Sequence, residues 1–158
     1  MREALFSILG ARVDGAHVVD VCAGSGGLGF EALSRGAAHV TFVERDRATA
    51  GVIRENAAAL GVPAEAHRVI VEPAQRFLRR AQERADLVLC DPPWDIVPEV
   101  TAALFEAARR LLADGGLIVV EHRAGEAPEL SNGLRAFDTR KYGDTALLLC
   151  GVDSEISP

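Results

Sequence analysis

The sequence predicts an α/β fold in which a mostly parallel sheet is covered by helices on both faces. Two observations carry this. Apolar runs rich in β-branched residues alternate along the chain with longer stretches of helical pattern. Those runs are continuously apolar rather than alternating, as strands buried on both faces are.

In order, residues 17–22 (HVVDVC) read as a first strand, and 28–36 as a helix closed by Gly36. A second strand at 39–44 precedes a helix over about 46–60 that stops at Gly61. A third strand at 67–72 is followed by a helix at 74–84, and a fourth strand at 86–91 ends at Pro92 and Pro93. Neither proline can donate to a ladder, so the strand cannot continue. A helix over about 97–112 leads through an Asp114-Gly115-Gly116 turn into a strand at 117–122. Two more strand candidates, near 134–138 and 145–151, lie close together with no helix between them, which predicts a hairpin at one sheet edge.

The chain of 158 residues fits one domain spanning 1–158, and 49% hydrophobic with 25% charged residues argues against disorder. No apolar run approaches the roughly 20 residues that cross a bilayer. The start, MREALFSILG, carries Glu3 and no small-residue cleavage site, so no signal peptide is expected and the reading is a cytoplasmic monomer. Cys22, Cys90 and Cys150 are odd in number, far apart and set in apolar stretches, which reads as buried reduced thiols. His17, His39, His67 and His122 stand alone, and no pair has metal-ligand spacing, so no metal is expected. The net charge of −6 disfavours a phosphate-rich partner. Yet the 17 basic residues are all arginine except Lys141. Arg68, Arg76, Arg79, Arg80 and Arg84 form either a local basic patch or, the favoured reading, a solvated face.

The first strand runs into Ala23-Gly24-Ser25-Gly26-Gly27-Leu28-Gly29, where Gly24, Gly26 and Gly29 match the G-x-G-x-x-G spacing between strand and helix. Glycines there let a ligand lie against the backbone, and the helix N-terminus favours a polar or anionic ligand group. Glu44 ends the second strand, where a carboxylate can accept from ribose hydroxyls. Together these point to a nucleoside-containing cofactor in a Rossmann-like fold; the spacing does not separate a dinucleotide from S-adenosylmethionine. A nucleophilic Ser25 is disfavoured, because Ala23 holds the first glycine position of the G-x-S-x-G elbow.

Asp91-Pro92-Pro93-Trp94 follows the fourth strand, whose end should face the glycine loop across the first strand. An exocyclic amino group on a base is a poor nucleophile, since its lone pair is delocalised into the ring. The Asp91 carboxylate and the Pro92 carbonyl can accept its two N–H bonds and stabilise charge developing on nitrogen. Pro92 and Pro93 stiffen the loop, and Trp94 offers a stacking surface worth about 1–3 kcal/mol per base. No cysteine is placed for covalent attack on a base; Cys90 should point to the opposite side of its strand from Asp91.

DVCAGSGGLGFEALSRGA, HVTFVERD, DLVLCDPPW, the late Tyr142-Gly143-Asp144-Thr145 and the initial REALFSIL resemble the bacterial small-subunit rRNA guanine-N2 methyltransferases, the RsmD family, over nearly the whole chain. The resemblance implies a class I S-adenosylmethionine-dependent methyltransferase fold: a seven-stranded, mostly parallel sheet with an antiparallel C-terminal hairpin. It implies S-adenosylmethionine as methyl donor and, as acceptor, a guanine of 16S rRNA in an assembling small subunit. Gly24, Gly26 and the loop between them would touch the methionine part, Glu44 would hold the ribose, and Asp91 through Trp94 would position the guanine amino group. The candidate cofactor-binding set is Asp20, Ala23, Gly24, Ser25, Gly26, Leu28, Gly29, Glu44, Arg45, Glu72 and Pro73. Two departures stand out. The family's basic segment before the first helix is expected to be absent here. Where the family offers Asp or Asn near the adenine, this chain reads Glu72-Pro73-Ala74, with Glu72 as the substitute.

Other readings remain open at this level. Asp-Pro-Pro-Trp suits adenine-N6 methylation of DNA or RNA equally well, and a cofactor-binding module without catalysis would serve in ribosome assembly. An NAD-dependent oxidoreductase would leave Asp91–Trp94 without a role. Glu121 and His122 end the fifth strand near the crevice and read as a solvated strand end, with an edge role in substrate binding as the alternative; Tyr142 reads as a hairpin anchor, with a base contact as the alternative.

Overall fold

The computed structural model describes residues 1–152. Within them, five α-helices, α1 (Arg2–Leu9), α2 (Gly27–Ser34), α3 (Arg47–Leu60), α4 (Ala74–Arg80) and α5 (Val97–Leu111), cover one seven-stranded sheet. Its strands are β1 (His17–Val21), β2 (His39–Glu44), β3 (His67–Val71), β4 (Ala85–Cys90), β5 (Leu112–Arg123), β6 (Leu134–Tyr142) and β7 (Thr145–Val152), in the order 3-2-1-4-5-7-6. β1 to β5 are mutually parallel; β7 runs antiparallel between β5 and β6. The expected α/β sheet with its C-terminal hairpin is therefore present, with β6 as the outer edge.

Strand alternation divides the core. Val19, Val21, Val88, Cys90, Ile118 and Val120 point to the face covered by α4 and α5, through Phe77, Leu78, Leu104, Phe105 and Leu111. Val18, Val40, Phe42, Leu87, Leu89 and Val119 point the other way, toward Phe6 of α1, Ala32 of α2 and Ile53 of α3. Both faces are buried, which is why the strands read as unbroken apolar runs.

Several boundaries differ from the sequence expectation. α4 stops at Arg80 rather than 84, because the Arg110 guanidinium on α5 donates to the carbonyls of Leu78 and Ala81. With those helix-end acceptors satisfied, Ala81 turns to extended backbone and the chain leads directly into β4. β4 ends at Cys90, so Asp91 lies just beyond it. The Asp114–Gly116 turn is an irregularity inside a longer β5, marked by a register shift opposite Ala85 and Leu87. β6 extends to Tyr142, beyond its expected end. Cys90 and Cys150 are buried free thiols as expected, whereas Cys22 is only half-buried.

Gly29 is demanded by packing. A Cβ there would lie 2.3 Å from the Phe42 ring and 2.9 Å from Val40. Gly51, within α3, would meet nothing within 4 Å. Gly29→Ala should therefore cost about 1–3 kcal/mol in chemical denaturation, while Gly51→Ala should stabilise by about 0.5–1 kcal/mol through helix propensity. Equal effects at the two positions would refute the packing role.

Candidate active site

β1 and β4 are adjacent, and the chain leaves them for opposite faces of the sheet: β1 into α2, β4 into α5. That is the switch point of a doubly wound sheet, where a crevice opens beyond the strand ends. The crevice here measures about 650 Å³ and is lined by Cys22, Gly24, Glu44, Arg45, Pro73 and the 91–96 segment. A wider hollow of about 970 Å³ lies between α5 and the 126–132 loop, but no residue singled out by the sequence reaches it.

On the β1 side, Cys22, Gly24 and Gly26 all take positive φ, bending the chain sharply into α2. A Cβ on Gly24 would meet no atom within 4 Å, so its backbone borders open space. Glu44 fixes this loop. Its Oε1 accepts the Gly24 N–H at 2.9 Å and its Oε2 accepts the Asp46 N–H at 2.8 Å. Asp46 in turn caps α3 by accepting from Thr49 N–H at 2.8 Å. From α3, Asn56 Nδ2 donates to the Ser25 carbonyl at 3.2 Å.

Asp20 is 1% exposed beneath the loop, and its Oδ2 accepts the Gly29 N–H at 3.0 Å. Burial pushes its pKa up to about 7; the Gly29 N–H opposes that rise, and the charges of Asp91 and Glu44 add to it.

On the β4 side, Asp91 stands at the crevice mouth and shares a side-chain hydrogen bond with Glu121 of β5. Partial desolvation lifts both carboxyls; Glu121 rises to about 7, with the Asp91 charge and the shared hydrogen bond as further causes. Trp94 is 41% exposed, and the Arg123 guanidinium lies over its ring, 4.4 Å from the centroid. One ring face is thus taken by Arg123, and the half-exposed ring also lines the crevice.

The structure brings Gly24, Glu44, Arg45, Pro73, Asp91, Pro92, Pro93 and Trp94 to a single crevice. Other expected contacts lie elsewhere. Asp20 and Gly29 support the loop from below. Gly26 caps α2 against the Phe30 and Phe42 rings, and Leu28 packs against the α1 side of the core. Ala23 donates its N–H to the Val43 carbonyl, and Ser25 faces outward. The Glu72 carboxylate is drawn from the crevice to Arg80 and, at 3.6 Å, to Arg76. Glu121 and His122 are not a solvated strand end: Glu121 is half-buried and His122 only 4% exposed. Arg123 belongs to no motif that marks it in the sequence. Its available signal was the two-residue spacing from Glu121, which puts both side chains on one side of a strand.

The arginine patch is dispersed. Arg68 pairs with Glu83, Arg84 donates to the Leu112 carbonyl, and Arg76 and Arg80 hold Glu72. Tyr142 lies half-buried against the core beside the β6–β7 turn, in keeping with an anchor. Among the described residues no group of three or more His, Cys, Asp or Glu could hold a metal, and no helix is long and apolar enough to cross a membrane.

The crevice suits S-adenosylmethionine. The Glu44 carboxylate gives the β1 side of the crevice a negative field, which favours a ligand carrying a sulfonium and an ammonium. The open backbone at Gly24 gives room for the ligand's chain, and the lone pairs left on Glu44 can accept from ribose hydroxyls.

The family described as conserved hypothetical protein 95 matches residues 1–151. The Bacillus subtilis protein YlbH is 33% identical over 153 residues, covering 94% of this chain and 83% of that one. Ribosomal RNA small subunit methyltransferase D of Escherichia coli K12 is 37% identical over 134 residues, covering 85% of this chain but only 64% of that protein. A solved structure of a conserved hypothetical protein from Streptococcus pyogenes superposes with a TM-score of 0.85 at 29% identity, covering 97% of this chain and 96% of that one. The fold is the class I methyltransferase fold.

The raised pKa of Asp20 gives a stability prediction. A carboxyl easier to protonate when folded contributes most below its unfolded value near 4, and that contribution is lost as pH rises toward 7. Asp20→Asn keeps a carbonyl oxygen for the Gly29 N–H and cannot ionise. Urea denaturation at pH 4.5 and 7.5 should show the variant gaining on the native chain by on the order of 1 kcal/mol or more. A pH-independent difference would contradict the assignment.

Proposed function

The chain belongs to the RsmD family, and from that membership and the crevice we propose that it transfers a methyl group to the exocyclic N2 of a guanine in small-subunit rRNA. The observation that carries the reading is the placement of Asp91–Trp94 across one crevice from Gly24 and Glu44. When bound, S-adenosylmethionine supplies an electrophilic methyl group on a sulfonium.

The residues do the rest. Glu44, already oriented by two backbone N–H groups, accepts from the ribose hydroxyls, and the loop backbone at Gly24 lies along the methionine part. Trp94 stacks the base on its free face while Arg123 holds the other. Asp91 and the Pro92 carbonyl accept the two amino N–H bonds, turning the nitrogen lone pair toward the methyl group. As methylation makes the nitrogen cationic, these acceptors stabilise it, and one proton then leaves through Asp91 to solvent. The acceptor is best sought in assembling small subunits, with the chain acting as a monomer in the cytoplasm.

The test is to incubate the protein with labelled S-adenosylmethionine and small subunits from a methyltransferase-deficient strain, naked rRNA or DNA, then identify the modified nucleoside. N2-methylguanosine is expected; N6-methyladenine, or cofactor binding without transfer, would overturn the reading. Asp91→Ala should lower kcat by about 10²–10³-fold with cofactor affinity nearly unchanged. Unaltered turnover would remove Asp91 from the chemistry.

A further inference from the structure

Cys90 and Val120 are partners in the β4–β5 ladder, so Asp91 and Glu121 are the next residues on each strand path, and their carboxyls meet. Two residues on, Arg123 holds the ring of Trp94. The 91–94 loop is thus tied to β5 twice, once at the carboxyl that faces an amino group and once at the stacking surface. We infer that Glu121 is a specificity-determining residue that reads the ring N1–H of the target base beside the amino group held by Asp91. This rests on the guanine reading above.

The chemistry is that of two adjacent acceptors. Guanine presents two neighbouring donors, N1–H and N2–H₂, whereas adenine presents a donor beside an acceptor. Two carboxylates brought together by this register repel, and the repulsion favours the state in which the pair keeps one proton. Guanine can replace that proton. Its N2–H goes to Asp91, its N1–H goes to Glu121, and the shared proton departs to solvent. A base with a lone pair at N1 would set it against the Glu121 oxygen. A site built around such a donor rejects an analogue that lacks it, because its own acceptor is left unpaired.

2-Aminopurine keeps the 2-amino group but has a lone pair in place of the N1 hydrogen. A synthetic rRNA fragment methylated by the native protein is prepared with guanine or 2-aminopurine at the target nucleotide. For the native chain, kcat/KM should fall on the order of 10²-fold with 2-aminopurine. In Glu121→Gln the amide can donate to a bare N1, so guanine should lose about tenfold and the discrimination should shrink to within about tenfold. Glu121→Ala should lose rate on guanine without gaining on 2-aminopurine. Affinity for S-adenosylmethionine, measured by calorimetry, should match the native chain in both variants, which shows the crevice intact. Undiminished discrimination in Glu121→Gln would overturn this inference alone. Native product at adenine rather than guanine would overturn the guanine reading and the inference with it.

Discussion

The cofactor side of the site depends on one carboxylate. Glu44 stands at the end of β2, and its two oxygens bind backbone N–H groups from different segments, Gly24 after β1 and Asp46 ahead of α3. That bidentate grip holds a loop bent by three positive-φ residues, which would otherwise have little to keep it in one shape. It also sets the direction of the lone pairs left over, so the acceptor for a ribose is rigid before any ligand arrives. Below the loop, Asp20 complements this from β1, tying the start of α2 through the Gly29 N–H. Gly29 lets α2 settle onto Phe42 and Val40.

The cost of this arrangement is electrostatic. Four carboxyls gather at the ends of neighbouring strands, and burial raises the pKa of Asp20 and Glu121 to about 7. A folded protein tolerates such crowding where it serves a functional site. The same field bears on the acidic balance of the chain. A net charge of −6 argues against broad attraction for a polyanion, yet Glu44 and Asp91 are placed along the crevice. Arg123, laid over Trp94 at the crevice rim, sets a positive charge beside the stacking surface where a nucleotide would enter.

The parts of this site visible in the sequence were those whose meaning is local. The glycine spacing, the acid at the end of the next strand and the Asp-Pro-Pro-Trp turn each announce a backbone geometry within a few residues. What stayed hidden depends on partners distant in sequence. The end of α4 is set by Arg110, 29 residues beyond Ala81. Glu72 looked free for a cofactor, but Arg76 and Arg80 on the following helix capture it. Glu121 resembled a solvated strand end until the register of β4 against β5 brought it to Asp91. Gly29 and Asp20 belonged to the recognised motif, and the structure adds a packing role for the one and a loop-supporting hydrogen bond for the other. Motif membership told which residues matter and left open how.

Methyl transfer at this site requires the crevice to hold S-adenosylmethionine, with Glu44 as its ribose acceptor. The most direct measurement is a calorimetric titration of the cofactor into the native protein and into Glu44→Gln, with Trp94, the single tryptophan, as a fluorescence reporter. Saturable one-to-one binding is expected for the native chain, weakened about tenfold or more in the variant, as loss of hydrogen bonds to a charged group implies. Absence of binding, or equal affinity in the two proteins, would contradict it.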